Sequence, residues 1–112
     1  MIEYEFEASI GYWICLTSHL YQQQLNDELA PYGITFRQFQ VLGWLVYEGN
    51  LSQVELAKRL MIEPPTLVGI LDRMQREGWI ERRNCGEDRR RKLIKLKPSA
   101  KTVWAKVVAC LK

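Results

Sequence analysis

The sequence is poor in the residues that build catalytic and metal centres. It has one histidine, His19, and three cysteines, Cys15, Cys85 and Cys110, with no Cys-x-x-Cys pair among them. An odd number of widely spaced thiols suits neither a disulfide framework nor a zinc site. No metal ligand and no cofactor is therefore assigned, and a reducing cytoplasm is the expected compartment. Glycine-rich phosphate loops, paired catalytic carboxylates and nucleophile–base motifs are also missing, which argues against an enzyme. Long apolar runs are lacking too: the longest span only a few residues, as at Trp13-Ile14-Cys15-Leu16. A membrane-spanning helix needs about 20. The start, Met1-Ile2-Glu3-Tyr4-Glu5-Phe6-Glu7, is acidic where an export signal would be basic. There are no internal repeats and no low-complexity segments.

What is present is one domain's worth of chain. The 112 residues, 47% of them hydrophobic, suffice for a single modest core. Charge is divided unevenly along that length. Residues 1–50 carry six acids against one base, Arg37, for a net −5, whereas residues 51–112 carry fifteen bases against seven acids, for a net +8. A basic half suits a polyanion, and an acidic half would be repelled by it.

Periodicity divides the chain into elements. Phe6, Ile10, Trp13, Leu16, Leu20 and Leu25 recur near helical spacing, predicting a helix over 5–30 that Pro31-Tyr32-Gly33 ends. Thr35 and Gln38 have the form of a capping box for a second helix, with Phe39, Leu42, Leu45 and Val46 inward. Ser52 and Glu55 form another box, opening a short helix through Leu60 with Val54, Ala57 and Leu60 inward. Pro64-Pro65 can only start a helix, which runs to Glu77 on the stripe Leu67, Leu71 and Met74 before Gly78 stops it. Two short helices across a tight turn make a helix-turn-helix over about 51–74. The period then changes. Trp79–Arg83 and Lys92–Lys97 read as the two strands of a hairpin, with the polar segment 84–91 as its loop. Pro98 begins a last helix with the stripe Val103, Trp104, Val107, Val108 and Leu111, which looks exposed. The expected fold is mainly α with a small antiparallel β-hairpin, a winged helix-turn-helix: a lobe over 35–97, its wing about 79–97.

That order of elements suits DNA. A helix N-terminus in the major groove brings N–H groups and small side chains to bases and phosphates. Here it carries Pro65, Thr66, Leu67 and Gly69. Thr66 is suited to a base or phosphate, and Pro65 and Leu67 to apolar contacts such as a thymine methyl. Ser52 and Gln53, at the preceding helix start, can meet a phosphate as well as cap. Three consecutive arginines, Arg89, Arg90 and Arg91, beside Asp88 suit phosphates and a narrow minor groove. Arg73 and Arg76 are weaker candidates, because each has an acid four residues away, Glu77 and Asp72 respectively, to pair with on the helix surface.

The stretch from Ile62 to Met74, then Glu77-Gly78-Trp79-Ile80-Glu81-Arg82, then Asp88 to Leu96, resembles the MarR family of bacterial transcription regulators, the SlyA branch most of all. The resemblance is strong over about 35–97. It implies a regulator of transcription, commonly a repressor, that binds an inverted-repeat operator in double-stranded DNA as a homodimer and answers to a small phenolic or anionic effector. It implies that Arg90 enters the minor groove while Asp88 holds its guanidinium. It further implies a dimer built from the first and last helices, here carrying Phe6, Ile10, Val103, Trp104, Val107 and Leu111. Four positions depart from the pattern. Gly69 stands where an arginine is common, Met61 where a turn glycine is common, and Lys97 where a capping threonine is usual. The chain also stops where relatives continue the fifth helix and add a sixth.

Other readings compete with these roles. Trp13, Tyr21, Phe39 and Trp44 line a ligand cavity on one reading and serve as core on the other. Cys15 is read as a buried inert thiol before an oxidation sensor, since no base lies near it in sequence. The alternative for the whole chain is a truncated family member that pairs with another protein through its helices and does not regulate DNA directly.

Overall fold

Ser9 opens the first helix, its hydroxyl accepting the Gly11 N–H at 3.2 Å. The computed structural model describes residues 9–85 and 88–111 and divides the chain into two units, residues 1–36 and 37–112. The beginning of the expected first helix, with Phe6, lies outside the described residues. Helix α1 (Ile10–Leu29) ends in a 3-10 turn over Ala30–Tyr32, and Gly33 adopts a left-handed φ of 72° there. The Phe36 N–H then donates to Asn26 Oδ1 at 2.8 Å, which ties the turn back to the helix. Only Leu25 and Leu29 of α1 are buried. Ile10, Trp13 and Leu20, expected inward from their spacing, are exposed, so the apolar stripe is real but uncovered within the protomer.

The second unit holds the rest. Helix α2 (Phe36–Glu48) buries Val41, Leu42 and Leu45. Phe39 is only half-buried and Val46 is exposed, one step off the expected face. The Ser52 capping box forms as predicted: Ser52 Oγ accepts the Glu55 N–H at 3.1 Å and Glu55 Oε1 accepts the Ser52 N–H at 3.3 Å. Helix α3 (Gln53–Leu60) turns Leu56, Ala57 and Leu60 inward, while Val54, expected inside, faces solvent. Met61 makes the turn in the left-handed region, at φ 55°. Helix α4 (Pro64–Arg76) starts on its two prolines and buries Leu67, Leu71 and Met74. Gly78, at φ +80°, takes the left-handed position that ends it, and Trp79 N–H reaches Met74 O at 3.0 Å.

The sheet has one strand more than the sequence predicts. Strand β1 (Leu51–Ser52) pairs antiparallel with β3 (Asp88–Leu96), which pairs antiparallel with β2 (Ile80–Cys85), giving the order β1-β3-β2. Two residues are too few to show an alternating pattern, and β1 exists because Leu51 meets Ile94 and Ser52 meets Leu93. The expected loop over 84–91 is largely strand. Asn84 pairs with Lys92 and Cys85 with Asp88 across an irregular register, so the wing is longer and its connection shorter than predicted. Helix α3 packs on α4 and on the sheet, and α4 packs on β2.

Helix α5 (Pro98–Leu111) is anchored at its start. Ser99 Oγ donates to Gly78 O at 2.6 Å and the Lys97 N–H donates to Trp79 O at 2.9 Å. Its stripe is less exposed than expected: Val107 is buried, and Val103, Trp104, Val108 and Leu111 are half-buried. Trp104 stacks on Phe39 of α2, ring centroids 5.3 Å apart and planes 24° from parallel. Gly43 permits this approach, since a Cβ there would sit 3.2 Å from the Trp104 ring. Among the described residues no helix is long and apolar enough to cross a membrane, and every buried side-chain nitrogen or oxygen has a partner.

Candidate nucleic-acid interface

Helix α4 separates its residues by function along its length. Leu67, Leu71 and Met74 point into the core, which leaves Pro64, Pro65, Thr66, Val68, Gly69, Arg73 and Arg76 exposed. Leu67 was expected at the groove, and its full burial corrects that. At position 67 the helical period serves the core, and the outward apolar side chain is its neighbour Val68. The backbone at this end is also less available than a typical helix start. Pro64 and Pro65 have no N–H, and the N–H groups of Thr66 and Leu67 both reach Glu63 O, at 3.0 and 3.2 Å. Any contact made through the start of α4 therefore falls to side chains, among which the exposed Thr66 hydroxyl is the polar group of the first turn. Gly69 leaves open space at the centre of the face, with nothing within 4 Å of a Cβ placed there.

At the start of α3, Ser52 is buried and engaged in its box, while Gln53 is half-exposed. Glu48 and Arg59 join α2 to α3 by two hydrogen bonds of 3.1 and 3.0 Å, and the Arg59 guanidinium lies 5.7 Å from the Trp44 ring centroid. The hydrogen bonds that Arg59 donates to Glu48, and then the carboxylate's charge, raise the Arg59 pKa above its ordinary value.

The expected helix-surface pairs do not form. Among the described residues Arg73 makes no ion pair with Glu77, and Arg73 is exposed. Asp72 pairs with Arg82 instead of Arg76: Arg82 Nη2 donates to Asp72 Oδ1 at 2.6 Å and Arg82 Nε donates to Gln75 Oε1 at 2.8 Å. Arg76 is left with a long 3.4 Å bond to the Asp72 carbonyl. An open cleft of about 620 Å³ lies over these four residues. Arg82 is the residue that sequence reasoning passed over. A helix-only pairing rule looks four residues along, and Arg82 comes back to Asp72 from ten residues away on the next strand.

The wing adds Arg83, in a 2.9 Å pair with Glu81, and Lys92, which donates to Asn84 Oδ1 at 2.9 Å. Arg89, Arg90 and Arg91 lie in β3 and not in a loop. The side chains of 88–91, and with them the expected Asp88–Arg90 pair, lie outside what the structure describes. All sixteen lysines and arginines of the chain belong to the second unit, against eight acids there, while the first unit has five acids and no base. The basic character is thus carried by the unit that holds α3, α4 and the wing.

The MarR family profile matches residues 32–91, more than half of the chain. The chain belongs to the MarR family. The multiple antibiotic resistance protein MarR of Salmonella typhimurium is 35% identical over 94 residues, covering 84% of this chain and 65% of that protein. A mutant MarR from E. coli, crystallised with operator DNA, superposes with a TM-score of 0.85 at 29% identity, over 91% of this chain and 73% of that one. NadR in complex with 4-hydroxyphenylacetate superposes with a TM-score of 0.82 at 25% identity, over 98% and 78%. The chain spans just under two thirds of the length of the curated MarR relatives it matches, 66% and 65%. The mainly helical architecture with its three-stranded antiparallel sheet is the winged helix-turn-helix of these MarR proteins.

The remaining candidates have these positions. Trp13 and Tyr21 line a concavity of about 490 Å³ on α1, together with Ile10, Ile14, Thr17 and Ser18. Phe39 and Trp44 line one of about 320 Å³ in the second unit, with Gln40, Gly43 and Tyr47. Cys15 is exposed, not buried as the sequence suggested, because the stripe it was assigned to is itself uncovered. His19 is exposed, and the described residues contain no cluster of potential metal ligands.

Proposed function

We propose that the protein is a sequence-specific, double-stranded DNA-binding transcriptional regulator that acts in the cytoplasm as a homodimer and carries out no catalysis. The observation that carries this reading is the coincidence of an exposed α4 face with a basic wing, on a fold whose relatives include one crystallised on operator DNA. Thr66, Pro65, Gly69 and Arg73 face the major groove, Gln53 approaches a phosphate, and Arg89, Arg90 and Arg91 serve the backbone and minor groove, with Asp88 orienting Arg90. The two subunits meet through α1, whose exposed Ile10, Trp13, Ile14 and Tyr21 form an apolar face, and through α5. A small phenolic anion, of the kind NadR holds, acts as effector by changing the spacing of the two DNA lobes.

Selection from random duplexes, followed by binding across a salt series, tests the reading. The selected sites are expected to be inverted repeats with half-sites about one helical turn apart. The log–log salt slope is expected at roughly −5 to −9, since each lobe neutralises several phosphates. A flat salt response overturns it.

A further inference from the structure

Arg82 joins the wing to the recognition helix. It is the third residue of β2, paired with Ile94 of β3, whose side chain is fully buried. Two donors of its guanidinium are committed to two acceptors one turn apart on α4, Asp72 Oδ1 and Gln75 Oε1. Its side chain is 22% exposed, the least exposed basic member of the ion pairs among the described residues. A planar fork meeting two acceptors fixes an orientation as well as a distance, which a lysine cannot do.

The lever arm shows why that orientation matters. The base of the wing is held to the end of α4 and the start of α5 through Trp79, Lys97 and Ser99, near the Ile80–Leu96 pair. From Leu96 to Arg90 the strand extends about 20 Å at its usual rise. A tilt of about 10° at the base moves the tip by roughly 3 Å, a whole hydrogen-bond length. Arg82 braces β2 against α4 beyond that base. We propose that Arg82, with Asp72 and Gln75, is a positioning strut that sets the angle between the recognition helix and the wing, so that both can engage one DNA site together. The DNA consequence rests on the proposed function, whereas the mechanical one does not.

Two measurements on the full chain test it. The first needs no DNA. Backbone hydrogen exchange at Arg83, Asn84, Leu93 and Ile94 is expected to quicken about tenfold in Asp72→Ala and in Arg82→Lys, with the α2 amides unchanged. Unchanged wing exchange overturns the strut. The second is duplex binding on a selected site. Asp72→Ala removes an acid, so charge alone predicts tighter binding, whereas the strut predicts binding about tenfold weaker. Arg82→Lys keeps the charge and is expected to weaken binding similarly with its salt slope unchanged, and the double variant is expected to be no worse than either single one. Additive losses with a slope reduced by about one in Arg82→Ala identify Arg82 as a direct phosphate contact and overturn the strut. A wild-type chain that binds no duplex defeats the DNA-binding reading, while the exchange result still decides whether the strut exists. Arg82→Lys, the milder variant, keeps the test decisive if Asp72→Ala fails to fold.

Discussion

Arg73 and Met61 show how one side chain's surroundings decide its role. Arg73 is exposed on the same face as Thr66 and makes no ion pair with Glu77, so no acid among the described residues competes with a phosphate for its guanidinium. Arg73→Ala is expected to weaken duplex binding by about 1 kcal/mol and to lower the salt slope by roughly one. Equilibrium titrations at several salt concentrations measure both, and a slope equal to the wild type removes Arg73 from the phosphate contacts. Met61 is a different case. It is 90% exposed and sits in the left-handed region without the backbone freedom of glycine. Left-handed backbone costs a β-carbon-bearing residue about 1–2 kcal/mol, partly offset because glycine loses more entropy on folding. Met61→Gly is therefore expected to raise stability by about 0.5–1 kcal/mol in urea unfolding, and a loss of stability would show that the Met61 side chain holds the turn.

At the scale of elements, the start of α3 joins three structures within five residues. Leu51 and Ser52 pair with β3, Ser52 caps α3, and Glu55 closes the box. Ser52 is buried and the bond is partly buried, so its loss leaves the Glu55 N–H without its protein partner where water replaces it only in part. Ser52→Ala is expected to cost about 1–2 kcal/mol, at the upper end for an N-cap. Thermal unfolding reads this directly, and a change below about 0.3 kcal/mol means that the helix start has found another acceptor. The α4 start is governed by different chemistry. Its two prolines stabilise the first turn but remove the N–H groups that would otherwise greet a phosphate, which leaves side chains to make any contact there.

At the scale of the whole molecule, basic charge falls on one unit and an exposed apolar helix face on the other. The unit with α3, α4 and the wing holds every lysine and arginine, and the other presents an acidic, apolar helix. Ile10 at 79% exposure and Ile14 at 63% on that helix are costly to leave in water. If the proposed homodimer forms through this face, Ile14→Glu is expected to shift it to monomer in sedimentation equilibrium. Circular dichroism should be unchanged, and affinity for an inverted repeat should fall at least tenfold once two lobes no longer bind as one. A variant that sediments as the wild type does would move the dimer contact off this face of α1.

Local physics made much of this molecule legible in its residues. The Ser52 box, the proline start of α4, the Gly78 stop and the sign of charge along the chain each depend on groups within a few positions of one another. Residue types and their spacing therefore determined them, and the motifs over 35–97 carry the family resemblance in the sequence itself. Other features depend on groups that only folding brings together. Strand β1 exists through partners more than forty residues away, Trp104 finds Phe39 because Gly43 leaves room, and Arg82 takes Asp72 from Arg76. Which face of a periodic helix turns inward was also left to packing, as Val54 and the α1 stripe show. Periodicity fixes that an apolar face exists, but only the neighbouring surfaces decide whether the protomer covers it, because burial is a property of the whole packed assembly and not of the segment.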